Sequence, residues 1–168
     1  MFHVLLAASA LGLMLLVPLA SYVLYAIAYF FLFPKLGEPR QMAFVPVYNT
    51  FLHSRRVGAA PFFWVWLLLH AAFVLLLVTS EVLSALQQDS QQLVGALATI
   101  DGICSGVYGV VVQLMLPFET VFRAALAYTT GARFGRSLPF ILGLFAFQPI
   151  FLIILARDPQ ATYLPADR

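Results

Sequence analysis

The sequence predicts an all-α fold: a four-transmembrane-helix bundle with a short cytoplasmic interfacial helix and a small outer helical extension. Two observations carry this reading. Four apolar stretches run over residues 4–33, 61–80, 103–128 and 138–156. A bilayer core about 30 Å thick takes about 20 apolar residues at about 1.5 Å rise each, and all four reach or approach that length. Second, only 10% of the 168 residues are charged and 62% are hydrophobic, with mean hydropathy +0.95. So few polar residues cannot cover a water-facing surface. Lipid offers no partner to bare backbone, so the four stretches are expected to be helices. The length fits a single integral membrane domain, 1–168.

The first stretch follows Met1-Phe2-His3-Val4, with no basic residue before the apolar run. A secretory leader has a basic start and a shorter apolar region. Ala8-Ser9-Ala10 resembles a cleavage site but falls inside the run, so the first helix is expected to stay uncleaved. Pro34, Gly37 and Pro39 end it.

A short helix over 46–57 is expected next, with Pro46 in its first turn and Gly58 at its end. Phe44, Val45, Tyr48, Phe51 and Leu52 recur at helical spacing, and Asn49, His53 and Arg56 fall on the other side. That pattern predicts an amphipathic helix in the inner interface, apolar face toward lipid or bundle and polar face outward. A plain linker is the alternative.

The second stretch can extend past Ser80 to Gln88. The outer connection, about 81–102, holds Asp89 as a possible cap with Gln92 at the matching capping-box position. Counted from Ser90, the third helix would be about 60 Å long. It is therefore expected either to break near Gly102 or Gly106, or to protrude as a short helical hairpin. Arg56-Val-Gly-Ala-Ala-Pro61-Phe62 and Arg133-Phe-Gly-Arg-Ser-Leu-Pro139-Phe140 echo one another, as two entries into helices with the same topological demand.

Basic residues set the orientation. Lys35, Arg40, Arg55 and Arg56 lie between the first and second stretches, and Arg133 and Arg136 between the third and fourth. The middle connection carries Glu81, Asp89 and Asp101 and no basic residue. The positive-inside rule puts the first and third connections in the cytoplasm and, with four crossings, both termini outside. The net charge of +2 includes no cluster that would track phosphates, so nucleic acid is not an expected partner. Cys104 is the only cysteine; it allows neither an internal disulfide nor a cysteine metal site and is expected to pack as a small apolar group.

The cytoplasmic connections also carry a motif set. Lys35-x-Gly37-x-Pro39 is followed by Val45-Pro46-Val47-Tyr48-Asn49 and Gly58-x-x-Pro61. Then come Ala132-Arg133-Phe134-Gly135-Arg136-Ser137, Gly143-Leu144 and Tyr163. This set resembles an uncharacterised family of small bacterial multi-pass membrane proteins that often bears the label signal peptidase I. The resemblance spans roughly 33–163. Gln41-Met42-Ala43-Phe44 stands where that family usually has a Trp, and 81–101 is longer than usual for it. The resemblance implies a bacterial cytoplasmic-membrane location and no reaction. The peptidase label fails on chemistry. A Ser/Lys hydrolase needs a Lys held neutral by burial, and the only lysine, Lys35, lies in a charged cytoplasmic connection.

No catalytic, cofactor or metal site is expected. There is no HExxH for zinc, no phosphate-cradling glycine loop, and no second acid to pair with Asp101. What remains is a set of polar residues inside the apolar stretches. His70, Glu119, Gln148 and Tyr25 each lie nine residues from Pro61, Tyr128, Pro139 and Pro34 respectively. Nine residues is about 13 Å of helix, so all four are expected in one midplane layer. Arg123 joins them as an i,i+4 partner of Glu119. Pro18, Pro117 and Pro149 each free a backbone carbonyl one turn earlier. The layer reads as interhelical glue, as a proton- or solute-linked pathway, or as a site completed by a partner.

Two functions follow as expectations. One is a non-enzymatic accessory or scaffold subunit of a larger membrane complex. The other is a small oligomeric transporter or channel using the midplane layer. Partners are then the lipid bilayer and other membrane subunits or copies of the chain.

Overall fold

The computed structural model describes residues 2–89 and 94–165, with side chains placed for 16–86 and 99–165. All regular structure among the described residues is helical. Helix α1 spans Phe2–Leu32, α2 Tyr48–Val57, α3 Ala60–Asp89, α4 Val94–Arg133, α5 Leu138–Ala146 and α6 Gln148–Arg157. Two short 3₁₀ turns, Phe33–Leu36 and Arg40–Phe44, join α1 to α2. Among the described residues three helices are long and apolar enough to cross a membrane: the segments Leu16–Leu36, Ala60–Leu86 and Thr99–Arg133. The chain divides into two compact units, Met1–Ala60 with Leu126–Arg168, and Pro61–Ala125.

The fourth apolar stretch does not form one long helix. It forms α5 and α6, each about 14–15 Å long by its rise, which is half a bilayer core. The chain breaks at Phe147, at φ −133° and ψ 53°. Pro149 then sits in the first turn of α6, where its missing N–H leaves no bond unmade. The two helices fold back on each other. The Phe140 and Phe151 rings lie 5.2 Å apart, where a continuous helix would separate those residues by about 16 Å. Gly143 permits the approach, since a Cβ there would stand 2.1 Å from a carbon of the Phe151 ring. At the open end the Arg136 guanidinium pairs with the Asp158 carboxylate.

This hairpin corrects the four-crossing expectation and the placement of the C-terminal end. The chain after α6 returns to the basic connections, where the Tyr163 hydroxyl donates to the Arg56 carbonyl at 2.5 Å and the Leu164 N–H to the Arg133 carbonyl at 2.8 Å. A C-terminal segment beside Arg56 and Arg133 does not lie on the side opposite them.

Three glycines end helical turns in the same way. Gly37, Gly58 and Gly135 have φ of 73°, 90° and 61°. The residue after each donates five residues back: Glu38 to Phe33, Ala59 to Ser54 and Arg136 to Gly131. These are Schellman caps, which need a residue free of the Cβ penalty. Pro39, Pro61 and Pro139 follow them. The echo between the two connections is thus a repeated stop-and-restart signal.

The first unit is held by a core that includes Tyr29, Leu32, Phe33, Leu36, Leu52, Phe134, Leu144, Leu152 and Leu155, all buried. Helix α2 packs onto it through Leu52, from the face expected to meet lipid or bundle, and also through part of the face expected to point outward. Asn49, His53 and Ser54 are buried and Tyr48 is exposed. Buried polar groups are stable only when bonded, and these are. Asn49 Nδ2 donates to the Ala43 carbonyl at 2.9 Å, and Ser54 Oγ to the Thr50 carbonyl at 2.7 Å. The helix also starts later than expected. Tyr48 N–H bonds the Pro46 carbonyl at 2.6 Å around Val47, whose φ of 65° makes a γ-turn of the strained hand.

In the second unit α3 and α4 run antiparallel, with Trp66 stacked on Phe122 at 5.7 Å and Phe73 on Tyr108 at 5.4 Å. Helix α4 continues unbroken through Gly102, Gly106 and Pro117, so of the two expected alternatives the break at a glycine is not the one observed. A glycine inside a helix costs only about 1 kcal/mol, and neither glycine has a helix stop beside it. Asp89 is the last residue of α3, and its expected capping of the next helix with Gln92 lies outside the described residues.

Candidate functional site

The expected midplane residues sort into two sets, one in each unit. In the first unit, the Tyr25 hydroxyl donates to Gln148 Oε1 at 3.1 Å. Gln148 is buried at the tip of the α5–α6 hairpin, so this bond ties the tip to α1.

In the second unit, Glu119 is the centre. Its Oε1 accepts from Arg123 Nε at 2.8 Å and its Oε2 from the Trp66 indole N–H at 2.6 Å. His70 does not bond Glu119. Its ring stacks on Trp66 with centroids 4.3 Å apart, and its Nδ1 lies 2.8 Å from the Trp66 carbonyl. A carbonyl only accepts, so Nδ1 carries a proton at this contact. Trp66 was not among the expected residues. A tryptophan N–H inside an apolar helix needs an acceptor, and its i,i+4 spacing to His70 was the available signal. A cleft of about 320 Å³ opens here, lined by Trp66, His70, Val112, Met115, Leu116, Glu119 and Arg123.

A second polar cluster went unread in the sequence. His53 is 0% exposed. Its Nδ1 lies 3.3 Å from the Tyr29 hydroxyl and its Nε2 3.0 Å from Thr130 Oγ1, joining α1, α2 and the end of α4. Burial without a charged partner lowers its pKa from 6.5 to about 3. The polar stripe of α2 was legible, but Asn49, His53 and Ser54 are uncharged. An uncharged stripe suits protein partners as well as it suits headgroups.

The motif residues of the connections build the first unit's end. Lys35 Nζ donates to the carbonyls of Leu155, Asp158 and Ala161 at 3.1, 2.5 and 3.3 Å. It caps the C-terminal turn of α6, where free carbonyls and the helix dipole favour a cation. Arg56 Nε pairs with Glu38 Oε1 at 2.6 Å. The carboxyl of Asp158 is held below its ordinary range, first by the Gln160 N–H and then by Arg136. Phe134 is buried and packs on Tyr163 at 5.6 Å. Ser137 is the N-cap residue of α5 without a side-chain bond. Pro61 lies in the first turn of α3.

Among the described residues no group of three His, Cys, Asp or Glu side chains is placed to hold a metal ion. Comparison with models of protein families, with curated proteins and with solved structures gave no match to this chain.

Proposed function

We propose that this chain is a non-enzymatic accessory or scaffold subunit of a larger membrane assembly; its resemblance to the small multi-pass family points only to the bacterial cytoplasmic membrane as the place. Helices α1, α3 and α4 cross the bilayer. The connections bearing Lys35, Arg40, Arg55, Arg56, Arg133 and Arg136 face the cytoplasm. The α5–α6 hairpin dips in from that side and returns, which puts the C-terminal segment inside and the start of α1 outside.

One observation carries the reading. Only 6% of the apolar window of Ala60–Leu86 and 17% of that of Thr99–Arg133 is buried within the protein. Two long helices with that little internal packing offer their sides to lipid and to other membrane helices. A second reading, a small oligomeric transporter or channel, draws support from the Glu119–Arg123 pair. Ionisable groups inside an apolar helix normally face a cavity or pathway.

Mild detergent extraction followed by mass spectrometry of the intact assembly tests both. Unlike chains at fixed stoichiometry support the subunit, and copies of this chain alone support the transporter. A lone monomer from intact membranes counts against both.

A further inference from the structure

We propose that α4 pairs with the α4 of a second copy of this chain, along the face that carries Gln113. The proposal rests on α4 crossing the bilayer and not on the choice between subunit and transporter, since either assembly can hold two copies.

Position 113 is short of hydrogen-bond partners twice over. The Gln113 side chain is exposed, and among the described residues nothing bonds its carboxamide. Its backbone carbonyl would accept from the N–H four residues on, but that residue is Pro117, which has none. Water is not at hand to replace them. Gln113 lies about 15 Å of helix from one end of the apolar stretch 103–128 and about 22 Å from the other, within a bilayer core about 30 Å thick. Polar groups at that depth are stable only when bonded.

The face that carries them is open. Helix α4 meets α3 through Tyr108, Glu119 and Phe122. Gln113 and Pro117 stand one above the other on a different side, in line with Gly102, Gly106 and Gly109 at helical spacing. All five are exposed, and a Cβ added at any of the three glycines would meet nothing within 4 Å. The packing of α3 on α4 therefore makes no use of them. Their part is to let a second backbone come close, near enough for Gln113 to be reached.

The groups at position 113 select the partner. Each copy presents two N–H groups on its carboxamide nitrogen and two oxygens, one of the side chain and one of the freed carbonyl. A lipid chain brings neither donor nor acceptor. A charged side chain would match only the donors or only the acceptors. A second copy brings the same donors and acceptors in the same number. All copies enter the membrane in one orientation, so a two-fold axis along the bilayer normal makes the two α4 helices parallel. Gln113 then lies at the depth of the partner's Gln113, in a contact that is its own complement.

Single cysteines in a Cys104→Ser background read the pairing in membranes of the cells that make the protein. With a disulfide-forming oxidant, Gly109→Cys and Gln113→Cys are expected to give cross-linked dimer. Val107→Cys and Leu114→Cys, at positions exposed but off the face, are expected to give roughly fivefold less, since a disulfide needs Cα atoms within about 7 Å. Equal yields at the four positions, or a maximum at Val107 or Leu114, overturn the pairing. The same proteins, before oxidation, are treated with a thiol reagent that does not cross membranes. Resistance of Gln113→Cys without cross-linking overturns the pairing alone; labelling of it overturns the crossing of α4 and the pairing with it.

A second measurement leaves the face intact, since cysteine at 109 fills the glycine line and cysteine at 113 removes the carboxamide. Copies carrying donor or acceptor dyes at Ser84→Cys are diluted with lipid in vesicles, and energy transfer gives the dissociation constant. Gln113→Leu is expected to raise it about three- to tenfold, as loss of a hydrogen bond across membrane helices does, and Val107→Leu to leave it unchanged. An equal constant in Gln113→Leu overturns the role of the carboxamide. Transfer no greater than random mixing gives, with the face intact, overturns the pair.

Discussion

His53 and Thr130, separated by 77 positions in the chain, meet at 3.0 Å, and the direction of their bond is fixed. The Thr130 hydroxyl gives its single hydrogen to the Leu126 carbonyl at 2.6 Å. Its oxygen therefore accepts from His53 Nε2–H, and Nδ1 accepts from the Tyr29 hydroxyl. The imidazole is neutral, with both nitrogens in use.

Acid should undo this arrangement. The folded pKa of His53 is about 3 and its ordinary value 6.5, so below pH 6.5 the unfolded chain binds the proton that the folded one refuses. Stability then falls as pH drops, by up to about 1.4 kcal/mol per pH unit, and this contribution levels off near pH 3. Thermal unfolding in detergent between pH 4 and 8 should show the decline, and His53→Gln should flatten it. Identical slopes in the two proteins would rule His53 out.

Asp158 titrates in a different window. Its folded pKa lies below 3.8, so its stabilising contribution is complete above that value and fades as pH falls beneath it. Asp158→Ala removes the acceptor of both the Gln160 N–H and the Arg136 guanidinium. At pH 7 a protease should then cut the segment 159–165 faster, with α1 still helical by circular dichroism.

The hairpin makes a topological prediction. With Cys104→Ser as background, a thiol reagent that does not cross membranes should label Ser84→Cys in intact cells. It should not label Ser137→Cys or Gln160→Cys. Four crossings would put position 160 outside, so labelling of Gln160→Cys would refute the fold-back.

Close packing at the hairpin gives a stability prediction. Gly143→Ala places a methyl where the Phe151 ring stands, and overpacking of this kind costs about 1–3 kcal/mol. Phe151→Leu in the same chain should recover part of the loss in chemical denaturation. Full additivity of the two changes would mean the residues do not touch.

Val47 offers the opposite sign. A β-branched residue at φ 65° holds backbone strain on the order of 1–3 kcal/mol. Val47→Gly relieves it, offset by glycine's greater freedom when unfolded. A net gain of about 1 kcal/mol is expected in unfolding midpoints. A loss would show that Val47 contributes packing instead.

The long apolar helices were legible because burial in lipid writes itself as uninterrupted hydropathy. The break at Phe147 was not. Pro149 reads equally as a kink inside one helix or as the first turn of another, and the choice rests on Gly143 meeting Phe151, a contact no local pattern records. The burial of Asn49 and His53 on α2 was missed for a related reason. Its apolar residues had helical spacing, but the burial of Asn49 and His53 depends on Ala43, Tyr29 and Thr130, which belong to other elements. At the Glu119 cluster the i,i+4 partner Arg123 was legible from spacing; the i,i+4 spacing of Trp66 to His70 was a signal too, but that Trp66 meets Glu119, on another helix, was not.

The ammonium of Lys35 closes on Leu155, 120 positions later in the chain. During synthesis at about 5–20 residues per second, that partner is made roughly 6–24 s after Lys35. Through that interval the cation stays hydrated and the end of α1 is untied. The last turns of α6 complete a clasp whose other half was laid down near the start, so a prematurely terminated chain carries an open clasp that distinguishes it from the finished protein.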